Sequence, residues 1–246
     1  MCGIIGIISE EDVSSSIYES LTVIQHRGQD AAGMATLEDG KLHVRKQIGL
    51  VREVFRAQHI KNLKGKMGIG HVRYPTAGGV TREFSQPLYV NSPYGISICH
   101  NGNLVNSKEL TQELYENDLR HLNTDSDSEV ILNIFANEMQ KINSQSPSPE
   151  EIFSAVEKMH LRLKGAYSVV LMISGVGLLA IRDPNGIRPL MMGKKENDLL
   201  GKTDYMFASE SPALDALDFE ILGDLKPAEA VFVSLEGKMS RKICHN

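Results

Sequence analysis

Cysteine is scarce in this sequence, and the three that occur, Cys2, Cys99 and Cys244, lie far apart. They form no CxxC pair and no disulfide framework, which indicates a reducing compartment, the cytoplasm. The eight histidines show neither an HExxH motif nor a Cys/His spacing typical of zinc sites. The sequence therefore predicts no metal.

Positive charge and long apolar runs are also lacking. Lys and Arg number 26 against 31 Asp and Glu, a net charge of −5 that argues against nucleic acid as the main partner. No apolar run approaches the length of a membrane span, and residues 1–9 do not resemble a signal peptide, so no membrane association is expected. The 246 residues, 41% of them hydrophobic, suffice for a full globular core.

The predicted elements follow the order strands, helices, strands. Short runs rich in β-branched residues predict strands at Gly3–Ile8, Leu42–Lys46, Met67–Arg73, Gly95–His100, Tyr167–Ile173, Val176–Ile181, Leu190–Gly193, Tyr205–Ala208 and Ala230–Leu235. Helical spacing of apolar residues predicts helices at Val13–Gln25, capped by Asp12, and at Ser107–Glu116, Asp127–Lys141, Glu150–Leu163 and Pro212–Leu217. This order is not a βαβ alternation. It predicts an α+β fold of two antiparallel sheets with helices on their outer faces.

Cys2 directly follows Met1. Removal of Met1 would place a thiol and a free α-amine on one residue, and an amine that titrates near ~8 can accept the proton of a thiol that titrates near ~8.5. Nucleophile and general base would then belong to a single residue. The alternative is that Cys2 is a small apolar residue at the start of a buried strand.

Three other polar clusters lie at the ends of predicted elements. Arg73, in the run His71–Thr76, offers a planar fork for a carboxylate, although a surface arginine is the simpler interpretation. Asn101 and the backbone N–H of Gly102 form a plausible donor pair for an oxyanion, although Asn-Gly also forms ordinary hairpin turns. Asp127 begins a helix, where capping alone favours an acidic residue.

Together the four clusters describe one ligand. A thiolate attacks an electrophilic carbonyl, and a donor pair stabilises the oxyanion that forms. An arginine fork binds a carboxylate, and an aspartate binds an ammonium group. An α-amino acid with a side-chain amide, glutamine or asparagine, offers all four groups.

Seven ordered motifs cover almost the whole chain: CGIIGI from Cys2, QHRGQDAAG from Gln25, GIGHVRYPTAG from Gly68, HNGNL from His100, SDSE from Ser126, RDPNGIRPL from Arg182 and FASES from Phe207. In this order they resemble the N-terminal-nucleophile (class II) glutamine amidotransferases, most closely the glutaminase domain of the amidophosphoribosyltransferase family. The related hexosamine-forming synthases would show a Tyr-Arg-Gly motif and a tryptophan after the site arginine. This chain has His26-Arg27-Gly28 and Tyr74 at those places.

The resemblance implies the catalytic roles. It makes Cys2 the nucleophile, with its α-amine as the base, and makes Asn101 and Gly102 the oxyanion hole. It assigns the glutamine α-carboxylate to Arg73 and the α-ammonium group to Asp127.

The resemblance also implies four further substrate-binding residues. They are Thr76 near the α-carboxylate, Tyr74 in a loop that closes over glutamine, and Arg27 and Gly28 lining the site.

The fold implied by the resemblance is a four-layer αββα sandwich of the N-terminal-nucleophile hydrolase type. Residues 1–246 would form one glutaminase domain without cofactor, and the phosphoribosyltransferase domain of the family, which binds Mg²⁺ and phosphoribosyl diphosphate, is absent from this chain. The implied partners are glutamine and a phosphoribosyltransferase domain or subunit, in a homo-oligomer when full length. Two alternatives stay open: a glutamine-binding or subunit-interaction module that is inactive without its acceptor domain, and the glutaminase domain of another class II amidotransferase.

Overall fold

Two antiparallel sheets face each other between two layers of helices. The structure, a computed structural model, describes residues 1–74, 82–197 and 201–245. Within these residues the strands are β1 (Gly3–Ile8), β2 (Ala31–Glu38), β3 (Lys41–Ile48), β4 (Met67–Arg73), β5 (Leu88–Val90), β6 (Ile96–Leu104), β7 (Gly165–Ile173), β8 (Gly177–Arg182), β9 (Met191–Asn197), β10 (Lys202–Ala208), β11 (Glu220–Asp224), β12 (Glu229–Ser234) and β13 (Met239–Ile243). The α-helices are α1 (Ser14–Val23), α2 (Val51–Val54), α3 (Ala57–Asn62), α4 (Ser107–Glu116), α5 (Asp127–Ile142), α6 (Pro149–Arg162) and α7 (Ser211–Asp215).

The first sheet has the strand order β11-β9-β10-β1-β4-β2-β3, and the second has the order β13-β12-β8-β7-β6-β5. Each neighbouring pair is antiparallel. Helices α1, α2 and α7 pack on the outer face of the first sheet, and α5 and α6 pack on that of the second. This is the αββα arrangement that the sequence predicts.

Strand β1 is buried on both faces because α1 covers one face and the second sheet covers the other. Successive side chains of a strand point to opposite faces. Ile5 and Ile7 pack with the helix-side core, whereas Ile4 and Ile8 pack between the sheets. The residue that precedes β1 is therefore held at one end of the interface between the two sheets.

Helix α5 covers the second sheet and carries its N-terminus to the same end of the sandwich. Ser126 caps the helix by accepting the N–H of Ser128 at 3.3 Å, and Asp127 is the first helical residue. Its apolar face belongs to the core under the second sheet. No helix within the described ranges has the length and apolarity needed to span a membrane.

Several sequence predictions about local structure were wrong, and β5, β11, β13, α2 and α3 were not predicted at all. No strand was predicted over β2, because its alanines and glycine have low β-propensity and burial on both faces removes the polar alternation. Strand β6 does not end at His100 but continues to Leu104. Asp12 does not cap α1. Its carboxylate accepts the N–H of Gly65 at 2.8 Å instead.

Candidate active site

Cys2 lies at the end of the intersheet layer. The alternation that turns Ile4 toward the second sheet turns Cys2 the same way. Its thiol donates to the carbonyl oxygen of Tyr74, with Sγ 3.8 Å from that oxygen. Burial raises the pKa of the Cys2 thiol, an effect that the backbone of Tyr74, the amino terminus and the positive charge of Arg73 only partly offset. The thiol therefore keeps its proton at neutral pH unless a base removes it.

Arg73 and Tyr74 follow from the end of β4, which pairs with β1. Arg73 is 7% exposed, and its guanidinium carbon lies 5.4 Å from the ring centroid of Phe84. Tyr74 is 52% exposed, so its ring stands at the rim. Thr76 lies outside the described residues.

The side chain of Asn101 points between the sheets. On β6, Ile98 belongs to the helix-side core and Cys99 to the intersheet core, so alternation places Asn101 on the face where Cys2 lies. Asn101 is 1% exposed, and its buried Nδ2 has no hydrogen-bond partner within the described residues. Such a donor is a costly exception in a protein interior unless a ligand uses it.

The backbone N–H of Gly102 faces the outer side of β6. Strand β5 pairs with only the first three residues of β6. Beyond them, the outward N–H of His100 donates to Gln86 Oε1 at 2.6 Å, and that of Leu104 donates to Asp127 Oδ2 at 3.1 Å. Because strand amides alternate in direction, the Gly102 N–H points the same way, between these two.

A side chain at Gly102 would not fit. A Cβ atom there would lie 2.2 Å from the carbonyl oxygen of Ala166 and 2.7 Å from Nε2 of His100. Only glycine therefore brings this stretch of β6 so close to its neighbours.

Asp127 presents its carboxylate at the N-terminus of α5, where the helix dipole favours a negative charge. Its Oδ1 lies 3.7 Å from His100 Nδ1, and its side chain is 22% exposed. Burial lowers the pKa of His100, although Asp127 opposes this effect. A neutral His100 leaves the charge of Asp127 available for a cation in the cleft.

Buried hydrogen bonds from His71 and Gln86 hold β6 in place at His100. The carbonyl of His100 accepts the Nε2–H of His71 at 3.2 Å and the amide of Gln86 at 3.4 Å. Gln86 also donates to Ser128 Oγ at 2.9 Å. Burial lowers the pKa of His71 to about 3, so it is a neutral donor that ties β4 to β6.

Arg27 and Gly28 lie behind Cys2 and Arg73 rather than in the cleft. Arg27 Nε donates to the carbonyl oxygen of Cys2 at 2.9 Å, and its Nη1 donates to Glu210. A Cβ atom at Gly28 would lie 2.4 Å from the carbonyl carbon of Arg73, so glycine is required by close approach. Arg27 therefore supports the site by holding the backbone of Cys2, and Gly28 supports it by close packing against the backbone of Arg73.

Some of these groups border a small polar cleft of about 110 Å³. It is lined by Cys2, Arg73, Tyr74, Phe84, Gln86, His100, Gly102, Asn103, Ser107, Asp125, Ser126, Asp127 and Ser128. A larger groove of about 440 Å³ opens beside β3 and β5, but no cysteine or histidine is among the described residues that line it. The chemistry of the site therefore belongs to the smaller cleft.

Sequence reasoning missed the supporting residues Glu210, His71, Gln86 and Ser128. Glu210, His71 and Ser128 lie in the FASES, GIGHVRYPTAG and SDSE motifs, but no role was assigned to them. Their contacts link positions 14 to 184 residues apart, and no local pattern indicates such partners.

Comparison with known proteins links this chain to one family. The family profile described as "Glutamine amidotransferase domain" matches residues 79–216. The chain is 52% identical to an amidophosphoribosyltransferase of Pseudomonas aeruginosa over 244 residues, 99% of this chain and 48% of that protein. It is 51% identical to the Escherichia coli amidophosphoribosyltransferase over 245 residues, again 99% of this chain and 48% of that protein. The chain thus spans about half the length of these curated relatives.

Comparison with solved structures leads to the same family. The glutamine phosphoribosylpyrophosphate amidotransferase of Bacillus subtilis superposes with a TM-score of 0.81 at 33% identity, over 98% of this chain and 49% of that one. A structure described as the allosteric regulatory enzyme of purine biosynthesis superposes with a TM-score of 0.83 at 34% identity, over 98% and 48%. A predicted glutamine amidotransferase of Pseudomonas aeruginosa, 15% identical with a TM-score of 0.60, shares the fold.

Proposed function

Because the chain belongs to the glutamine amidotransferase domain family, we propose that it hydrolyses the side-chain amide of glutamine to glutamate and ammonia through a thioester on Cys2. The observation that carries this proposal is the buried, unpartnered amide of Asn101 on the intersheet face that Cys2 shares. Together with the Gly102 N–H it supplies two donors for the oxyanion of an attacked amide.

Removal of Met1, which is 57% exposed, precedes the reaction. The freed α-amine of Cys2 takes the thiol proton, and Sγ attacks the side-chain carbonyl carbon of glutamine. The carbonyl oxygen becomes an oxyanion that Asn101 Nδ2 and the Gly102 N–H stabilise. The α-ammonium group then returns its proton to the leaving nitrogen, and ammonia departs. Water attacks the thioester, releases glutamate and restores the thiol.

Two charged residues orient the substrate. Arg73 binds the α-carboxylate of glutamine through its guanidinium fork, and Asp127 accepts hydrogen bonds from the α-ammonium group. Their opposite charges at two places along the cleft fix which end of glutamine lies near Cys2. Tyr74 directly follows β4 and would lie over the bound glutamine.

The test compares the mature chain with two variants. The mass of the purified N-terminus first establishes that Met1 is absent. Ammonia release from glutamine is then measured for the mature chain, for Cys2→Ala, and for a chain that keeps Met1. We expect turnover only in the first. Turnover by Cys2→Ala would refute the proposal, and glutamine binding without ammonia from the mature chain would favour a binding or subunit-interaction module.

We further propose that residues 1–246 are the glutaminase half of an amidophosphoribosyltransferase in de novo purine synthesis. The support is the identity of half of each named relative to nearly all of this chain. Ammonia would pass to phosphoribosyl diphosphate bound by the remaining half of such a protein. The chain alone is therefore expected to form glutamate but no phosphoribosylamine from glutamine and phosphoribosyl diphosphate.

The free thiols of Cys2, Cys99 and Cys244 support a cytoplasmic location. A reducing compartment would keep the nucleophile active.

A further inference from the structure

We propose that Glu210 is a positioning residue of the glutaminase reaction: its carboxylate orients Arg27, whose guanidinium holds the backbone carbonyl of Cys2. This inference rests on the proposed role of Cys2 as the nucleophile. It assigns a function to Glu210, a residue outside the cleft and 208 positions from Cys2 in the chain.

On the β10 side of β1, Cys2 has no strand residue opposite it with which to pair. In β1 the N–H and the carbonyl of Ile4 both bond to Ser209, at 3.0 Å to its Oγ and at 3.1 Å from its N–H. Strand amides alternate in direction, so the carbonyl of Cys2 points the same way as that of Ile4. Strand β10 has already ended at Ala208, and α7 begins at Ser211. A strand N–H is therefore missing opposite Cys2.

Arg27 supplies the missing donor. Its Nε donates to the Cys2 carbonyl oxygen at 2.9 Å, in the position that the next strand residue would otherwise occupy. Arg27 ends the short 3-10 turn Gln25–Arg27 that follows α1, and its side chain is 5% exposed. A guanidinium buried to this degree requires a counter-charge.

Glu210 supplies that charge. One carboxylate oxygen pairs with Arg27 Nη1, and the other lies 2.8 Å from Nε2 of His26. Burial opposes ionisation, but the contacts with Arg27 and, to a smaller extent, His26 together outweigh it and lower the pKa of Glu210, so the carboxylate is charged. The chain of contacts runs from Glu210 to Arg27 to the Cys2 backbone.

The geometry separates this device from substrate binding. The cleft is lined by Arg73 and Asp127, whereas Arg27 and Glu210 are not among the described residues that line it. Displacement of Cys2 would therefore slow the attack on glutamine without weakening the binding of glutamine. A misplacement of about 1 Å at a reacting group can lower the rate by about 10²-fold.

The experiment measures kcat and KM for glutamine in Glu210→Ala and Glu210→Gln. We expect kcat to fall by about 10- to 100-fold in Glu210→Ala, with KM changed by less than about threefold. Glu210→Gln keeps an oxygen that can accept from Arg27, so it should retain most of kcat. An unchanged kcat in Glu210→Ala, or an equal loss in both variants with a large rise in KM, would overturn the proposal.

Two further variants serve as controls for Glu210→Ala. His26→Ala removes the more exposed partner of Glu210, since its side chain is 60% exposed against 5% for Arg27, and kcat should be unaffected. Glu229→Ala breaks another Glu–Arg pair, 2.7 Å from Arg241 on the β12–β13 hairpin. It should lower stability without lowering kcat. A loss of kcat in Glu229→Ala equal to that in Glu210→Ala would mean that the effect of Glu210 is merely structural.

A second readout does not depend on turnover. The rate of Cys2 alkylation by iodoacetamide is measured against pH in each variant. Burial raises the pKa of the Cys2 thiol, so release of Cys2 toward solvent should move the alkylation midpoint to lower pH in Glu210→Ala. An unmoved midpoint would count against the proposal. If the wild-type chain releases no ammonia, the proposed function fails, while the alkylation profile still decides whether Glu210 positions Cys2.

Discussion

At the scale of single residues, Asn137 serves as a control for Asn101. Each has a buried Nδ2 without a hydrogen-bond partner within the described residues. Only Asn101 shares the intersheet face with Cys2. Asn101→Ala should lower kcat for glutamine hydrolysis by about 10²–10³-fold, the usual loss when one oxyanion donor is removed. Asn137→Ala should leave kcat unchanged. Steady-state ammonia release checks both, and a similar kcat in the two variants would contradict the assignment of the oxyanion hole.

Asp127 can be tested against its neighbour Asp125, which is exposed. Asp127→Asn keeps an oxygen for the N–H of Leu104 but loses the charge that binds the α-ammonium group. A hydrogen bond to a charged group is worth about 1.5–3 kcal/mol, so KM should rise by about 10- to 100-fold. Asp125→Asn removes the same charge from an exposed residue that also borders the cleft, and it should raise KM much less than Asp127→Asn. Equal effects would indicate a general electrostatic attraction rather than a direct contact.

At the scale of elements, two helix caps separate stability from substrate binding. Ser126 caps α5, which begins with Asp127, and Ser148 caps α6 through a capping box with Glu151. Replacement of either serine by alanine should lower the free energy of unfolding by about 1 kcal/mol. Of the two variants, only Ser126→Ala should also raise KM for glutamine, because α5 starts in the cleft and α6 does not. Urea unfolding and glutaminase kinetics check the pair, and an unchanged KM in Ser126→Ala would separate the helix end from the site.

Sequence alone predicts those elements whose side chains carry a clear pattern. The apolar runs of β1 and β4 and the helical spacing of α5 locate three of the elements that hold site residues. The sequence failed for β2, where alanine and glycine fill both buried faces, and for the last residues of β6, where Asn101-Gly102 reads as a turn. In both cases tertiary packing overrides local propensity.

The candidate site shows the same division. Arg73, Asn101-Gly102 and Asp127 stand out because each marks the end of a predicted element with a polar side chain. The structure brings Arg73, Gly102 and Asp127 to one cleft with Cys2, whereas Asn101 precedes Gly102 on β6 and is not among the described residues that line that cleft. Supporting residues are harder to predict, because the groups they hold are set by the fold. Nothing near Glu210 in the chain indicates that it contacts an arginine 183 residues away.

At the scale of the whole molecule, buried histidines set the response to acid. Burial lowers the pKa of His71 from 6.5 to about 3, that of His160 from 6.5 to about 4, and also that of His100. Below pH 6.5 the unfolded chain therefore takes up protons that the folded chain cannot. The free energy of unfolding should fall as the pH is lowered toward 4, by up to about 1.4 kcal/mol per pH unit for each histidine.

Urea unfolding between pH 7 and about pH 5, where carboxylates stay ionised, measures this slope. His71→Gln should reduce this slope by the contribution of one histidine, which is up to about 1.4 kcal/mol per pH unit. A free energy of unfolding that is constant over this range would contradict the titration of these histidines.

The contacts of Arg27 and Ser209 that fix the start of β1 also make this chain a suitable template for a designed zymogen, a precursor that a protease activates. Arg27 holds the Cys2 carbonyl and Ser209 holds Ile4, so the backbone is fixed from Cys2 onward whatever precedes it. A leader ahead of Cys2 would convert its amine to an amide and leave a folded but silent protein. A protease that cuts directly before Cys2 would then start ammonia release in every molecule at once, on demand.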